Sequence, residues 1–509
     1  MKKLSLFLCL IILGCNSIFG QAVATVHRTM PVDSAARVAQ FKRNIENFTN
    51  ALKQTKDDKS LGGIHMLLGV NEAALKQFSK AISDFSLALK LNPDLKDCYI
   101  YRATSYEAIK DYASAIVDYE KVLTFITNNP KSSALLYTTI GRLQLRLRQF
   151  DRAIKSDSTA ISLNPLIGEA YANRAWAYVS IGKNELAILD FTTAMGGYEN
   201  NRKLLSGLFL GRADAKIRLK KYKDAINDYS TVIELIPDNK SAILQRAACY
   251  YYNGDYQLAD DDYNKMIIYY KNDNKKLARL YDDRSVMEMG LLQCQKAITD
   301  DSLAISLDNQ LGTAYWHKAD AYAQNADFQL SIDNYIKTMS FYQNEKTAMA
   351  VLYNNIANEE YFLNEYQKVI DASTSSILQD EKSWSPYLNR GRAYLKKKNN
   401  DLAMSDFNKV LVLDTTKKSF EYAFALFYTG SPDKAINVMQ SNLLSTTNDY
   451  VLMSHYYNLA CLFSLMNKPD DANIYLKKCI DGGYPKKYAL NDPDLDNIRN
   501  TQEYKDNTR

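Results

Sequence analysis

The sequence predicts an all-α fold, an α-solenoid of stacked helical hairpins. Three observations lead there: a hairpin that cannot bury itself alone, its recurrence in register along most of the chain, and a scarcity of helix breakers. The hairpin runs from Glu169 to Ala194. Tyr171, Arg174, Ala175 and Tyr178 recur at helical spacing on one face of a first helix, and Gly182 and Lys183 mark a break. Ala187, Phe191 and Ala194 then share one face of a second helix. The small residues Ala175, Ala187 and Ala194 let helix axes approach, and Tyr171, Tyr178 and Phe191 fill the space beside them. Such a hairpin has an apolar face on each side and must stack on copies of itself. Glycine and proline number only 19 and 10 in 509 residues, so little interrupts a succession of helices.

The copies follow in order. Residues equivalent to Ala187 are Ala81, Ala115, Ala153, Ala225, Ala259, Ala297, Ser331, Val369 and Ala403, at steps alternating between 34 and 38 residues. Two degenerate copies surround Ala435 and Ala472. Leu68-Gly69, Ala81, Phe85, Ala88 and Pro93 carry the pattern in the first copy. Tyr137, Ile140-Gly141, Ala153, Ala160 and Pro165 carry it in the third, and Tyr387, Gly391, Tyr394, Ala403 and Phe407 in the tenth. This 34-residue pattern resembles the tetratricopeptide repeat (TPR) family, and the likeness spans roughly residues 62–484. It implies a right-handed superhelix of about twelve helical hairpins. The four extra residues of the longer steps fall at 124–133, 196–205, 268–277 and 340–349. Four residues make about one helical turn, so the second helices there are expected to be longer, or their loops wider. That would mark one edge at every second hairpin, left by duplication of a two-hairpin unit or used by a partner.

The ends differ from the middle. Lys2-Lys3 and the apolar run Leu4–Leu13 read as a signal peptide over residues 1–20. Cleavage near Ile18-Phe19-Gly20 would release a soluble chain. Alternatively, Ile12-Leu13-Gly14-Cys15 resembles a bacterial lipobox that would give a lipid anchor at Cys15. Either reading exports the protein, to the periplasm, the outer membrane or the medium. Residues 21–60 form a lead with a capping helix at Ser34–Leu52, residues 61–484 the repeat array, and residues 485–509 a C-terminal cap. The net charge of +5 becomes +3 once Lys2 and Lys3 leave with the signal, too balanced for nucleic acid or an anionic membrane surface.

One pattern inside the repeats is unusual. Arg102, Arg174, Arg212, Arg246, Arg284 and Arg390 occupy a first-helix position where the family prefers Leu. Asp118, Asp190, Asp228, Asp262, Asp300 and Asp406 follow them at a spacing of 16. The first copy keeps Asp84 opposite Leu68. Arginine's planar fork suits a carboxylate, so the spacing predicts a structural ladder of ion pairs within or between hairpins. A catalytic role fits poorly with a pair repeated along the array.

Other constellations are weaker. Asp492, Asp494, Asp496 and Glu503 have the spacing of a calcium loop, but Asn497 stands where glycine is needed and Arg499 where an apolar residue belongs, so the cap reading is preferred. His27, His65, His317 and His455 have no second ligand at metal spacing, and there is no phosphate loop or nucleophile elbow. The sequence therefore predicts neither an enzyme nor a cofactor. Cys98, Cys249, Cys294, Cys461 and Cys479 read as buried thiols, with a Cys461–Cys479 pair left open.

The resemblance places function on the concave face lined by first helices. Trp176, Trp316, Tyr251, Tyr252, Tyr361, Arg142 and Arg392 would lie there, with Arg146, Asp214 and Asp282. Aromatics with flanking charge are the anchors that a peptide or protein partner uses. The carboxylate clamp of chaperone-binding members is not reproduced: Asn173, Asn355 and Asn389 match it, but Glu169, Val351 and Ser385 replace its lysine. The resulting expectation is a non-catalytic interaction scaffold of the bacterial cell envelope. An envelope glycan-binding module using its aromatic faces is the alternative.

Overall fold

The computed structural model describes residues 35–198, 200–445 and 449–509. The predicted signal peptide, the candidate lipid anchor at Cys15 and the predicted lead as far as residue 34 lie outside the described residues. Among these residues there are 27 α-helices, one 3-10 helix and no strand. The chain forms two compact units, one through Asn239 and one from Lys240.

In the first unit α1 (Ala35–Leu52) is followed by five hairpins: α2 (Asp58–Ala74) with α3 (Phe78–Leu91), α4 (Lys96–Ala108) with α5 (Tyr112–Leu123), α6 (Pro130–Arg146) with α7 (Phe150–Leu163), α8 (Gly168–Ser180) with α9 (Asn184–Met195), and α10 (Arg202–Arg218) with α11 (Tyr222–Leu235). The helix α1 lies against α2, where Asn44 donates to Asn71 at 3.0 Å. The second unit holds α12 (Lys240–Asn253) with α13 (Tyr256–Tyr269), α14 (Asn274–Gly290) with α15 (Cys294–Leu307), α16 (Gly312–Gln324) with α17 (Phe328–Met339), α18 (Lys346–Phe362) with α19 (Tyr366–Gln379), α20 (Ser385–Lys396) with α21 (Asn400–Leu413), α22 (Phe420–Tyr428) with α23 (Pro432–Ser445), and α24 (Asp449–Leu465) with α25 (Pro469–Asp481). It closes with α26 (Lys486–Asn491), the 3-10 turn Pro493–Leu495 and α27 (Gln502–Thr508).

The repeat chemistry explains the stacking. Every register residue from Ala81 through Ala403, Ser331 and Val369 included, is fully buried, so each marks a point of close helix approach. Four residues later an aromatic ring fills the space between first and second helix in most copies, as at Phe85, Phe191 and Phe407. Opposite Phe85 and Phe407 stand Gly69 and Gly391, where an added Cβ would come within 2.6 and 2.7 Å of the ring. The tight turn inside each hairpin puts one residue in the left-handed region. Glycine serves at Gly182, Gly254 and Gly430, and residues such as Lys76, Arg148 and Leu292 serve elsewhere. In each unit some successive first helices touch across hairpins, as do α6 and α8 in the first and α14 and α16 in the second.

The four extra residues of the long repeats lie within the stretches expected, and the loops after α5, α9 and α17 are wider, six residues against four after α3, α7 and α15. The preceding second helices are not longer: α5, α9 and α17 have 12 residues and α13 has 14. The next first helices α6, α10, α14 and α18 have 17, against 13 in α4, α8 and α16. The added turn extends the N-terminus of the following first helix. An asparagine or aspartate cap explains its start at three of the four: Asn129, Asn201 and Asp273 each accept from a backbone N–H of the first turn.

Candidate functional site

Six ion pairs tie first helices to their second helices, at α4, α8, α10, α12, α14 and α20. All six are bidentate. In the first unit Arg102 donates Nε and Nη2 to Asp118 at 2.8 and 2.7 Å, Arg174 to Asp190 at 2.7 and 2.9 Å, and Arg212 to Asp228 at 3.0 and 2.7 Å. In the second, Arg246 reaches Asp262 at 2.8 and 2.8 Å, Arg284 reaches Asp300 at 2.6 and 2.7 Å, and Arg390 reaches Asp406 at 2.9 and 2.9 Å. The third nitrogen crosses to the preceding hairpin. Nη1 donates to Ser86 from Arg102, to Ser158 from Arg174, to Thr192 from Arg212, to Asn264 from Arg284 and to Thr374 from Arg390. The pair therefore acts both within and between hairpins. In the first copy, where Leu68 replaces arginine, His65 bonds Asp84 at 2.7 Å.

In the first unit three of the four predicted groove residues share one row, with Arg146 one turn further along α6. Arg142 on α6, Trp176 on α8 and Asp214 on α10 occupy the same repeat position on successive first helices. Trp176 is 41% exposed and stands edge-on to Phe191, ring centroids 5.1 Å apart. Arg142 reaches Glu107 at 2.9 Å and Glu169 at 3.9 Å. Asp214 pairs with Arg218 at 3.3 Å. The row thus presents a cation, an indole and an anion in order.

The second unit distributes its predicted residues differently. Tyr252 is exposed and stands edge-on to Tyr251, which also leans on Tyr256. Trp316 is half-buried against Ala319, Tyr335 and Leu352, edge-on to Tyr342. Tyr361 and Arg392 are not on an open face: both are buried beneath the C-terminal segment. The Tyr361 hydroxyl donates to Asp494 at 2.8 Å, Arg392 pairs with the same carboxylate, and the guanidinium lies 3.9 Å from the Tyr361 ring centre. Burial drives the Tyr361 phenol well above its usual range.

The cap consequently reaches further than the last hairpin. Tyr488 stands edge-on to Phe328 and Phe362, themselves stacked 4.7 Å apart, and Lys487 reaches Asp327 at 3.0 Å. Asp492 accepts from Tyr457 at 2.8 Å and from the Cys461 thiol at 3.4 Å. Burial, with Asp494 adjacent, raises the Asp492 carboxyl to about 6. Asp492 and Asp494 thus serve side-chain partners inside unit 2, as a cap requires. Cys461 and Cys479 are both buried free thiols, donating to Asp492 and to the Leu476 carbonyl respectively. The clamp-like asparagines are taken up by packing between neighbouring first helices: Asn173 donates to the Thr138 carbonyl at 3.2 Å and Asn389 to Asn354 at 3.2 Å.

Sequence reasoning missed one set of residues. Asp157 and Asp301 stand in the register where the other copies, Ser373 excepted, carry Phe or Tyr, and both are fully buried. Burial pushes the Asp157 carboxyl up to about 8 and Asp301 to about 9. The interrupted A-x3-F pattern was the available signal. His317, which has no ligand at metal spacing along the chain, lies in space beside Asp282 and Asp301.

Comparison with known proteins agrees with the repeat reading. Residues 138–199 and 385–416 match family models described as Tetratricopeptide repeat. The chain is similar to the DnaJ homolog subfamily C member 7 homolog of Dictyostelium discoideum, 22% identical over 68% of this chain and 61% of that protein. Similarity to human Tetratricopeptide repeat protein 6 is 23% over 52% of this chain and 56% of the relative. Rat Serine/threonine-protein phosphatase 5 is 33% identical over 104 residues, 20% of each chain. The chain thus spans less than two thirds of the length of these relatives. Among solved structures, the C-terminal part of a TPR repeat-containing protein from Cytophaga hutchinsonii superimposes with a TM-score of 0.41 at 16% identity, covering 50% of this chain and 98% of that one. The Cut9–Hcn1 hetero-tetramer of APC/C gives 0.36 at 16% identity, covering 92% and 94%. No described helix is long and apolar enough to cross a membrane.

Proposed function

Because the chain carries tetratricopeptide repeats, we propose that it is a non-catalytic scaffold that binds a protein or peptide segment along the first-helix face of its N-terminal unit. Proteins built on this repeat generally mediate protein–protein interaction, and the repeat scaffold is typically non-catalytic. The observation that carries the reading here is the row Arg142, Trp176 and Asp214. A half-exposed indole between opposite charges offers an anchor and sets the register of a bound chain. Two of the three first helices bearing the row, α8 and α10, are fixed by bidentate ion pairs, while α6 carries Ile140 in that position, so little order is lost on binding at α8 and α10. The working place proposed is outside the cytoplasm, in the cell envelope, on the strength of Lys2-Lys3 and Leu4–Leu13.

The test is cross-linking and pull-down of the tagged protein from its own cells, beside Trp176→Ala and Trp316→Ala variants that pass a thermal-melt check. A specific protein band lost with Trp176→Ala supports the reading. A band retained at full strength in both variants moves the partner off this face and overturns it.

A further inference from the structure

We propose that Asp282, Asp301 and His317 form a binding site for one divalent transition cation, with Zn2+ the natural probe. The three residues come from three successive helices, α14, α15 and α16. One ligand atom from each lies within 4.8 Å of the other two. His317 Nδ1 is 2.7 Å from Asp282 Oδ1, and Thr313 donates its hydroxyl to Asp282 Oδ2 at 2.5 Å.

Asp301 makes the cluster more than a collection of acids. It is fully buried, and neither of its carboxylate oxygens accepts a hydrogen bond of good geometry from a described residue, although the Ser285 hydroxyl lies close by. The nearby Ser285 hydroxyl donates instead to the Asp282 carbonyl at 2.8 Å. A buried carboxylate without hydrogen bonds is costly unless a cation or a proton answers it. Asp320 and Asp283 add further negative charge facing His317.

The repeat supplies an internal contrast. Shifted back by 144 residues, the same three register positions hold Thr138, Asp157 and Asn173. There Asn173 faces Asp157 at 3.4 Å, and the neighbouring residues are an amide and a hydroxyl. In the second unit both neighbours have become metal-ligating types while the aspartate stays. Two carboxylates and one imidazole suit Zn2+ or Mn2+, whereas Ca2+ and Mg2+ favour oxygen ligands. Bonds of about 2.0–2.2 Å hold ligand atoms about 3–4 Å apart, so small rotations of Asp301 and His317 would bring three ligands onto one ion, with a further position left for water. His317 is partly exposed and gives the ion its entry. The ion would tie three helices of the stack together.

The experiment uses the full chain, stripped with a chelator and titrated with Zn2+ and Mn2+ by calorimetry, with melting followed in parallel. One equivalent should bind and raise the melting temperature by several degrees. Asp301→Asn and His317→Gln should each weaken that binding at least tenfold, and Asp157→Asn should leave it unchanged. Co2+ loaded into the unaltered protein should show visible absorption from nitrogen and oxygen ligands, a reading that needs no variant to fold. No saturable Zn2+ binding, binding undiminished in both site variants, or a thiolate signature from Co2+ would each overturn the proposal.

Discussion

Replacing Arg174 with methionine tests how much the ion-pair ladder contributes. Asp190 is 4% exposed at its side chain and accepts two charge-assisted hydrogen bonds from Arg174, which is 19% exposed. Hydrogen bonds to charged groups contribute about 1.5–3 kcal/mol each, and breaking a buried pair from one side costs about 3–5 kcal/mol. Water reaches one side of the guanidinium, which places the expected loss for Arg174→Met near the lower bound, about 3 kcal/mol. Methionine keeps part of the packing against Tyr171 and Tyr178, whose rings flank the guanidinium at 5.6 and 5.8 Å. The control is Arg218→Met. That arginine pairs with Asp214 at 3.3 Å with side chains 51% and 45% exposed, and its loss should cost about 0–1 kcal/mol. The double variant Arg174→Met, Asp190→Leu should recover most of the loss, because no buried charge is left unpaired. Urea unfolding followed by circular dichroism gives the global figure. Amide hydrogen exchange across α8 and α9 catches local opening, which repeat arrays permit. A cost for Arg174→Met no larger than for Arg218→Met, or a double variant as unstable as the single one, would refute the reasoning.

Other outcomes follow from the same packing. Gly141→Ala should destabilise by about 1–3 kcal/mol, since its Cβ would meet the Asp157 carboxylate at 2.4 Å, whereas Gly207→Ala, with nothing within 4 Å, should stabilise by about 0.5–1 kcal/mol in the same melts. The raised Asp157 carboxyl, at about 8, keeps its proton in the folded state while the unfolded state ionises near the ordinary value of 3.8. Its contribution therefore falls as pH rises from about 4 towards 8, by at most about 1.4 kcal/mol per pH unit. Asp157→Asn should flatten that slope in stability measured across this range, and an unchanged slope would remove the assignment. Tyr488→Ala should cost about 2 kcal/mol or more, because its ring covers both Phe328 and Phe362, and should raise binding of an apolar dye.

Local chemistry explains how much of this was readable beforehand. The period of Ala81 through Ala403 is a packing requirement repeated in sequence, so the helical hairpins and their register could be read directly. The Arg–Asp ladder was legible for the same reason, since a fixed spacing of 16 becomes a fixed contact. Wider loops were among the expected outcomes, but the added turn was looked for in the second helix rather than at the start of α6, α10, α14 and α18. Length alone does not say which helix absorbs four residues, although the caps Asn129, Asn201 and Asp273 held that information. Covering of Tyr361 and Arg392 was invisible, because Asp494 lies 133 and 102 residues away and nothing local announces the encounter. The grouping of Asp282, Asp301 and His317 depends on three helices meeting side by side, which spacing along one helix cannot reveal.

The central claim is that the face carrying Arg142, Trp176 and Asp214 holds a partner segment. Amide hydrogen exchange of the captured complex against the free chain tests it most directly. New protection concentrated in α6, α8 and α10, and lost with Trp176→Ala, is the predicted result. Protection confined to second helices or to the second unit, with α6, α8 and α10 unchanged, would contradict the account.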